Sequence, residues 1–289
     1  MLLGSRIRVK AVSPVGSTGK VPHEFQIQPL SICATNYNTG HAIIRHIESV
    51  LSLFDGIPFE YIVVDNRSND SSLRYLRKIV ADDSRFVLVE KRCSRGRGRQ
   101  IAFEESKYAF AVPVDTDTVY FPIWIEFVRA AIREMKRQHP MPAIQAIFSG
   151  VFPRDAVEMA GGWRDLQYFE DFDMWMRLCK IRRMRWSPIV TGLNLKPSGA
   201  EGFSDVHYSL LPRAERISRL IRRELDWNAM AEHRRLPVLS LYSENLVDLG
   251  IGPLAGPWFG QRGDISLRVR LPSIVREAYQ IVRKAERTR

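Results

Sequence analysis

Three short polar segments directly follow apolar, strand-like runs of the sequence, and they hold residue types that bind phosphates and cations. The segments are Thr35–Asn38, Asp65–Asp70 and Asp115–Asp117. The last is an Asp-x-Asp pair, and two carboxylates spaced in this way can hold a hard divalent cation such as Mg²⁺ or Mn²⁺. Alone, the pair is a weak signal, because a solvated turn can have the same composition.

A second acidic group, Glu170-Asp-Phe-Asp173, precedes the apolar-periodic segment that continues to Leu178. Acids at the start of a helix interact favourably with the helix dipole, so capping alone explains such a cluster. The functional alternative is a general base, in which one carboxylate takes the proton of an incoming hydroxyl group.

A basic run covers residues 91–99 and carries five positive charges with no acid. Its glycines allow the backbone to approach a ligand closely, and its guanidinium groups can pair with phosphate. Nucleic-acid binding is the alternative interpretation, since Arg-Gly segments occur in single-strand binders. The run is short, however, and has no interleaved aromatic residues that could stack on bases.

Apolar spacing predicts the elements that position these residues. Strand-like runs alternate with helical patterns from residue 30 to residue 115, which predicts βαβ units and a parallel sheet covered on both faces. Ligands bind such sheets at the carboxyl ends of the strands, where the polar segments stand. The strands are predicted at 30–35, 59–64, 86–89 and 111–115, and the helices at 43–53, 73–80 and 101–110. Further along, we predict a helix at 123–135, an extended segment at 143–152, a helix at 166–178 and a strand at 184–190.

Composition excludes several classes of protein. The chain has 289 residues, 45% of them hydrophobic, which is enough for a sizeable core. No apolar run is long enough to span a membrane, and the N-terminus lacks the apolar stretch of a signal peptide. Three scattered cysteines fit neither a disulfide framework nor a zinc site. The net charge of +11 favours anionic partners, and we expect a cytoplasmic protein.

The order of the motifs resembles that of a family 2 glycosyltransferase of the GT-A fold. The similarity covers roughly residues 29 to 191, and the segments that carry it are Leu30–Asn38, Glu48–Leu51, Ile62–Asp65, Ser68–Ser71, Val114–Asp117 and Gly161–Leu178. The resemblance implies an α/β fold in which a mostly parallel sheet is flanked by helices. It also implies inverting transfer of a sugar from a nucleotide-diphosphate sugar, assisted by Mn²⁺ or Mg²⁺.

The same resemblance implies roles for individual residues. Thr35 and Asn38 are expected at the nucleotide pocket, and Asp65 is expected to hydrogen-bond the base. Arg99 is expected to face the diphosphate. Asp115 is expected to contact the ribose or the metal, and Asp117 to be the main metal ligand. Asp171 is expected to be the catalytic base, with Glu170 as the alternative if the helix is rotated.

Two departures from the family pattern concern ligands of the donor. Gln100 occupies a position where family members often carry asparagine, which affects the expected contacts with the diphosphate. Many members also place a histidine soon after the strand equivalent to 184–190, whereas Thr191–Asn194 follows here. His207 is the candidate replacement as a metal ligand, although a lone histidine is more often structural.

The boundaries of the chain's parts follow from these patterns. We expect a lead-in at 1–28, a catalytic domain at 29–204 and a helical, basic C-terminal extension at 205–289. Within the extension, 210–225 reads as a basic amphipathic helix, which either packs on the catalytic domain or docks peripherally on an acidic membrane surface. The acceptor is unassigned: a glycan, a lipid-linked molecule or a small molecule. Two other functions stay open, a basic nucleic-acid-binding protein and a nucleotidyltransferase.

Overall fold

The computed structural model describes residues 28–195, 213–233, 241 and 244–251. The strands are β1 (Leu30–Asn36), β2 (Phe59–Asp65), β3 (Phe86–Glu90), β4 (Phe110–Asp115), β5 (Thr118–Tyr120), β6 (Ala143–Ile147), β7 (Gly150–Pro153), β8 (Met184–Val190) and β9 (Gly192–Asn194). The α-helices are α1 (Ile43–Leu53), α2 (Ser71–Asp82), α3 (Arg95–Glu105), α4 (Ile123–Lys136), α5 (Arg154–Met159), α6 (Glu170–Lys180) and α7 (Arg213–Ala229). A short 3₁₀ turn, Ala231–His233, follows α7.

Seven strands form the central sheet in the order β3-β2-β1-β4-β7-β6-β8. The first four pair in parallel, β7 runs antiparallel to both β4 and β6, and β6 pairs in parallel with β8. The strands β5 and β9 form a separate two-stranded antiparallel sheet. The sheet is therefore mostly parallel and flanked by helices, which confirms the predicted fold class.

Side chains of the central strands alternate between two apolar cores, one on each face of the sheet. Tyr61 and Val63 of β2 belong to the first core, while Ile62 and Val64 belong to the second. Helices α1 and α4 cover the first face, and α3 and α6 cover the second. Because both faces are buried, these strands read as nearly continuous apolar runs.

Three predicted elements differ substantially from the structure. The helix predicted at 101–110 ends at Glu105 and begins at Arg95, because the Ser94 side chain caps it by accepting from the backbone N–H of Arg97 at 3.1 Å. The helix predicted at 166–178 begins at Glu170, since Phe169 adopts a left-handed conformation with φ +64°. The extended segment predicted at 143–152 is the hairpin β6–β7, which turns at Phe148 and Ser149.

The glycines of the basic run serve the packing of α3. A Cβ atom on Gly96 would meet the carbonyl oxygen of Arg164 at 2.0 Å, and one on Gly98 would meet Thr35 Cγ2 at 2.9 Å. The close approach that we expected toward a ligand is therefore made toward neighbouring segments of the protein. It brings α3 against the end of β1.

Several sequence predictions lie outside the described residues: the lead-in, apart from residue 28, the boundary at 204/205, His207 and much of the C-terminal extension. The predicted basic helix corresponds to α7, Arg213–Ala229. Among the residues that the structure describes, no helix combines the length and hydrophobicity needed to cross a membrane.

Candidate active site

The carboxyl ends of β1, β2 and β4 bring the three polar segments together at one edge of the sheet. Backbone register pairs Thr35 with Asp115 and Asn36 with Asp65. The strand order reverses at β1, which has β2 on one side and β4 on the other, so this is the topological switch point of the sheet. A crevice at such a point is where open α/β sheets bind ligands.

Asp65 anchors the loop that follows β2. It is fully buried, and its carboxylate accepts from the Asn36 side chain at 2.6 Å and from the backbone N–H and hydroxyl of Ser68 at 2.8 and 2.7 Å. The Ser68 hydroxyl also accepts from the backbone N–H of Asn38 at 2.9 Å. This network fixes the loops after β1 and β2 relative to each other.

A cavity of about 760 Å³, the large cavity, opens at these strand ends. Thr35, Asn66, Asp115 and Asp117 line it on the side of the sheet. Tyr168, Phe169 and residues of α7 line it as well. Its volume lies within the range typical of small-molecule and cofactor sites.

A second cavity of about 340 Å³, the small cavity, adjoins the first. Glu170 and Asp171 of α6 line it together with Trp175. Arg95, Asp115 and Phe169 line both cavities. The two acidic groups of the sequence therefore face adjoining spaces.

Arg99 connects the two acidic groups. Its Nη2 donates to Asp115 Oδ1 at 2.8 Å and to Asp171 Oδ2 at 2.9 Å, and its Nε lies 3.5 Å from Glu170 Oε1. The Arg95 Nε lies 3.7 Å from the same Glu170 oxygen. The Arg99 side chain is 5% exposed, and its Nη1 is buried without a hydrogen-bond partner among the described residues. One buried guanidinium thus positions three carboxyl groups.

Burial and charge shift the pKa values of this cluster in different directions. Burial raises the pKa of Glu170 to about 7, despite the nearby Arg95 charge. Burial also raises the pKa of Asp171, against the opposing effect of Arg99. At Asp115 the charges of Arg99 and Arg95 outweigh burial, so its pKa lies below the ordinary value. Asp115 is therefore an anion at neutral pH, while Glu170 and Asp171 hold protons more tightly than ordinary carboxylates.

A separate cluster on the other side of α6 surrounds Asp173. Its carboxylate accepts from Arg177 Nε at 2.9 Å and from His233 Nε2 at 3.0 Å, and lies 3.3 Å from Arg164 Nη1. Arg164 also pairs with Glu232 at 2.6 Å. The ligand atoms of Asp173, Glu232 and His233 lie within 4.8 Å of one another, as in a metal site. Two arginines contact these carboxylates, however, so we interpret the cluster as an ion-pair network that fixes the segment after α7.

Comparison with known families decides what kind of fold carries this site. The model of the family described as glycosyl transferase family 2 matches residues 31–192, which is more than half of the 289 residues. The chain belongs to glycosyl transferase family 2. The matched region contains both cavity-facing acidic groups and Arg99, and it ends before α7. No curated protein sequence matches the chain.

Solved structures with a similar arrangement share little sequence with this family 2 chain. Residues 1–349 of TarS from S. aureus are 14% identical, with a TM-score of 0.47, and the alignment covers 57% of this chain and 59% of that chain. The mannosyltransferase PcManGT from Pyrobaculum calidifontis, solved in complex with GDP-Man and Mn²⁺, is 15% identical, with a TM-score of 0.48. That alignment covers 75% of this chain and 81% of the mannosyltransferase. The chain spans less than two thirds of the TarS fragment.

The residues of the family 2 site fit a divalent cation. Asp115 and Asp117 both line the large cavity, and the Asp115 side chain is 43% exposed, so an ion can approach its free oxygen. Around Arg99, three carboxyl groups face two arginines, which leaves negative charge for a cation or a proton to neutralise. Oxygen ligands of this kind suit Mg²⁺ and Mn²⁺ equally.

The structure brings most of the predicted site residues to the two cavities. Thr35, Asp115 and Asp117 line the large cavity, and Glu170 and Asp171 line the small one. Asn38 and Asp65 are not among the described residues that line either cavity. Their hydrogen bonds hold the loops that follow β1 and β2 in place.

Arg99, for which the resemblance implies a position facing the diphosphate, has its guanidinium among carboxyl groups and lines the small cavity. It lies in the second turn of α3, which packs against β1. Arg95, one turn earlier and half exposed, lines both cavities.

Gln100, which occupies the position where family members often carry asparagine, has a structural role. Its side-chain oxygen accepts from the backbone N–H of Trp163 at 2.7 Å, and its nitrogen donates to Glu104 at 3.0 Å. It thereby ties α3 to the Gly161–Trp163 segment.

Sequence reasoning missed several residues that line the large cavity. Asn66 belongs to the polar segment Asp65–Asp70 at the end of β2, although the resemblance implies no role for it. Phe169 carries no signal in the sequence, because its place depends on the left-handed turn before α6. The sequence predicts a basic amphipathic helix at 210–225, but nothing in it indicates that arginines of this helix border the large cavity.

Proposed function

We propose that this chain is an inverting glycosyltransferase that moves a sugar from a nucleotide-diphosphate sugar to a hydroxyl acceptor with the help of a divalent cation. The observation that carries the proposal is the placement of two acidic groups on adjoining cavities, with Arg99 between them. One cavity suits the nucleotide and its diphosphate. The other suits the sugar and the acceptor.

In this proposal the large cavity binds the donor. Thr35 and Asn66 lie where they can contact the nucleoside, while Asp65 and Asn38 shape the loops from behind. Asp117 and Asp115 would hold Mn²⁺ or Mg²⁺. When bound, that ion supplies positive charge to the diphosphate, whose negative charge grows as it leaves. Arg95 lines both cavities and adds a positive charge where they meet.

Asp171 is the proposed base. Its raised pKa favours proton uptake, and Arg99 holds the carboxylate in a fixed position. It accepts the proton of the acceptor hydroxyl while that oxygen forms a bond to the anomeric carbon. The bond from that carbon to the diphosphate oxygen breaks, and the nucleoside diphosphate leaves with the electron pair. A single displacement of this kind inverts the configuration at the anomeric carbon.

Metal-dependent donor binding tests the assignment of Asp117. Thermal-shift titration with a panel of nucleotide sugars, with and without Mn²⁺, should find one donor that raises the melting temperature of the unchanged chain more strongly when Mn²⁺ is present. The isosteric D117N variant should lose the additional rise in melting temperature that Mn²⁺ causes. The matched control is D82N, because Asp82 is an exposed acid at the end of α2, away from the cavities. A D117N chain that keeps the full Mn²⁺ effect would rule out Asp117 as a ligand.

A further inference from the structure

Helix α7 lies outside the residues that match the family, yet it borders the proposed donor site. The family match ends at residue 192, and α7 begins at Arg213. Ser218, Arg219, Arg222 and Arg223 of α7 nevertheless line the same large cavity as Asp115 and Asp117. A helix outside the family match therefore contributes three basic residues to the cavity.

A buried acid on α7 holds the helix in this position. Asp226 is 3% exposed and accepts hydrogen bonds from the backbone N–H groups of Gln167 and Tyr168 at 2.8 and 3.0 Å. The Trp227 ring packs on Phe169 with centroids 5.4 Å apart. Both contacts fall on the segment just before α6, so α7 is fixed to the segment that leads directly into Glu170 and Asp171.

The three arginines differ in what their side chains do. Arg222 Nε pairs with Asp226 at 2.9 Å, and its Nη2 donates to the Asp165 carbonyl at 3.3 Å, so it secures the helix. The Arg223 guanidinium lies over the Phe169 ring, 5.5 Å from its centroid. Arg219 is one turn before Arg223, and helical spacing places the two on one face. That face borders the cavity, whereas Ile221 and Leu225 are more than half exposed.

The charge of these side chains matches that of a diphosphate. Guanidinium groups form paired hydrogen bonds with phosphate oxygens, and they are more readily desolvated than the ammonium group of lysine. The same cavity carries Asp115 and Asp117, which repel an anion unless a cation lies between. An anionic ligand bound at these acids through a cation is stabilised further by positive charge elsewhere in the cavity lining, and the arginines of α7 provide it.

We propose that α7 is a diphosphate-binding element of the donor site, in which Arg219 and Arg223 contact the phosphates and Arg222 holds the helix in place. This inference rests on the proposed function, because it assumes that a nucleotide-diphosphate sugar occupies the large cavity. It goes further by assigning phosphate contacts to residues outside the family match.

Nucleotide-binding calorimetry in the presence of Mn²⁺ tests the inference. The probes are the common nucleoside diphosphates, together with the monophosphate and the free nucleoside of the one that binds most tightly. Each single variant, R219A or R223A, should weaken binding of the diphosphate about tenfold or more, in line with the usual strength of a charged hydrogen bond. Binding of the monophosphate should weaken less, and binding of the nucleoside should not change.

The matched control is R133A, which removes the same charge from an exposed position on α4 away from both cavities. It should bind every probe as the unchanged chain does. R219K and R223K should recover part of the diphosphate affinity, because lysine keeps the charge. A variant that loses the nucleoside and the diphosphate equally would indicate a displaced helix rather than lost phosphate contacts, and would contradict the inference.

The remaining outcomes separate this inference from the proposed function. If R219A and R223A bind the diphosphate as tightly as the unchanged chain, α7 has no phosphate role and the proposed function stands. If nucleotide binding is intact but the KM for a charged acceptor rises, the arginines serve the acceptor, and the inference is again overturned. If the unchanged chain binds none of the nucleotides, the proposed function fails and the inference fails with it.

Discussion

Asp171 and Asp173 lie two residues apart in the first turn of α6 and have opposite environments. Asp171 is about one-third exposed, lines the small cavity and contacts one guanidinium, that of Arg99. Asp173 is fully buried, and Arg177, Arg164 and His233 surround it. A helix turns by about 100° per residue, so side chains two positions apart lie on different sides of α6.

The same difference separates their pKa values. Burial raises the pKa of Asp171, and the opposing charges do not offset it. At Asp173 the hydrogen bonds from His233 and Arg177 and the charge of Arg177 outweigh burial, and its pKa lies below the ordinary value. A carboxylate that contacts several cationic side chains stabilises the fold, whereas a carboxylate that faces a cavity and contacts a single cationic side chain can exchange a proton. The sequence cluster 170–173 therefore contains both a candidate base and a structural anion.

Removing the base should have the largest effect. The D171N variant keeps the size and polarity of the side chain but cannot accept the acceptor's proton, so we expect kcat to fall about 10²–10⁴-fold. The affinity for the nucleotide sugar and the melting temperature should change little. Steady-state kinetics and thermal melts measure both, and an active D171N would shift the role of base to Glu170.

Removing the structural anion should reduce stability. In the D173N variant Arg177 loses its charged partner and Arg164 and His233 keep only Glu232, and breaking a buried ion pair costs about 3–5 kcal/mol. Denaturant unfolding measures this loss in free energy. E105Q is the control, since Glu105 is an exposed acid at the end of α3. If D173N unfolds at the same denaturant concentration as E105Q, the network around Asp173 does not hold α6 and the segment after α7 together.

Neutralising Glu170 should have the smallest effect, and the effect should depend on pH. The pKa of Glu170 in the folded chain, about 7, lies above its ordinary value of 4.5, so its stabilising contribution is present below pH 4.5 and is lost as the pH rises through 7. The side chain at position 170 is neutral at every pH in the E170Q variant, so this variant does not lose that stability. Relative to the unchanged chain, its melting temperature should rise by a few degrees between pH 5 and pH 8. A difference that does not vary with pH would contradict the raised pKa.

Much of the fold can be predicted from local sequence. Strand β8 has the predicted bounds, and β1 to β4 match within one residue at each end, because buried parallel strands leave continuous apolar runs. The start of α3 could not be predicted in this way. Gly96 and Gly98 indicate a loop, yet they are required where α3 passes Arg164 and Thr35, and only the folded chain shows those neighbours.

The residues of the candidate site likewise divide into those that the local sequence indicates and those that only the folded chain brings together. Asp115 and Asp117 could be named from sequence, because they directly follow a strand and strand ends meet at one edge of the sheet. The partners of Arg99 could not be named from spacing, since Asp171 is 72 residues away along the chain. The position of α7 is even less local. It depends on Asp226 reaching backbone groups nearly 60 residues earlier.

Product analysis with the unchanged chain and with D171N tests the central claim most directly. The chain is incubated with its donor, Mn²⁺ and a panel of hydroxyl acceptors, and nuclear magnetic resonance identifies the released nucleotide and the anomer of the transferred sugar. We predict a nucleoside diphosphate and an inverted anomer from the unchanged chain, and formation of both products about 10²–10⁴-fold more slowly from D171N. Release of inorganic diphosphate would instead identify a nucleotidyltransferase, and a retained anomer would contradict a single displacement with Asp171 as the base.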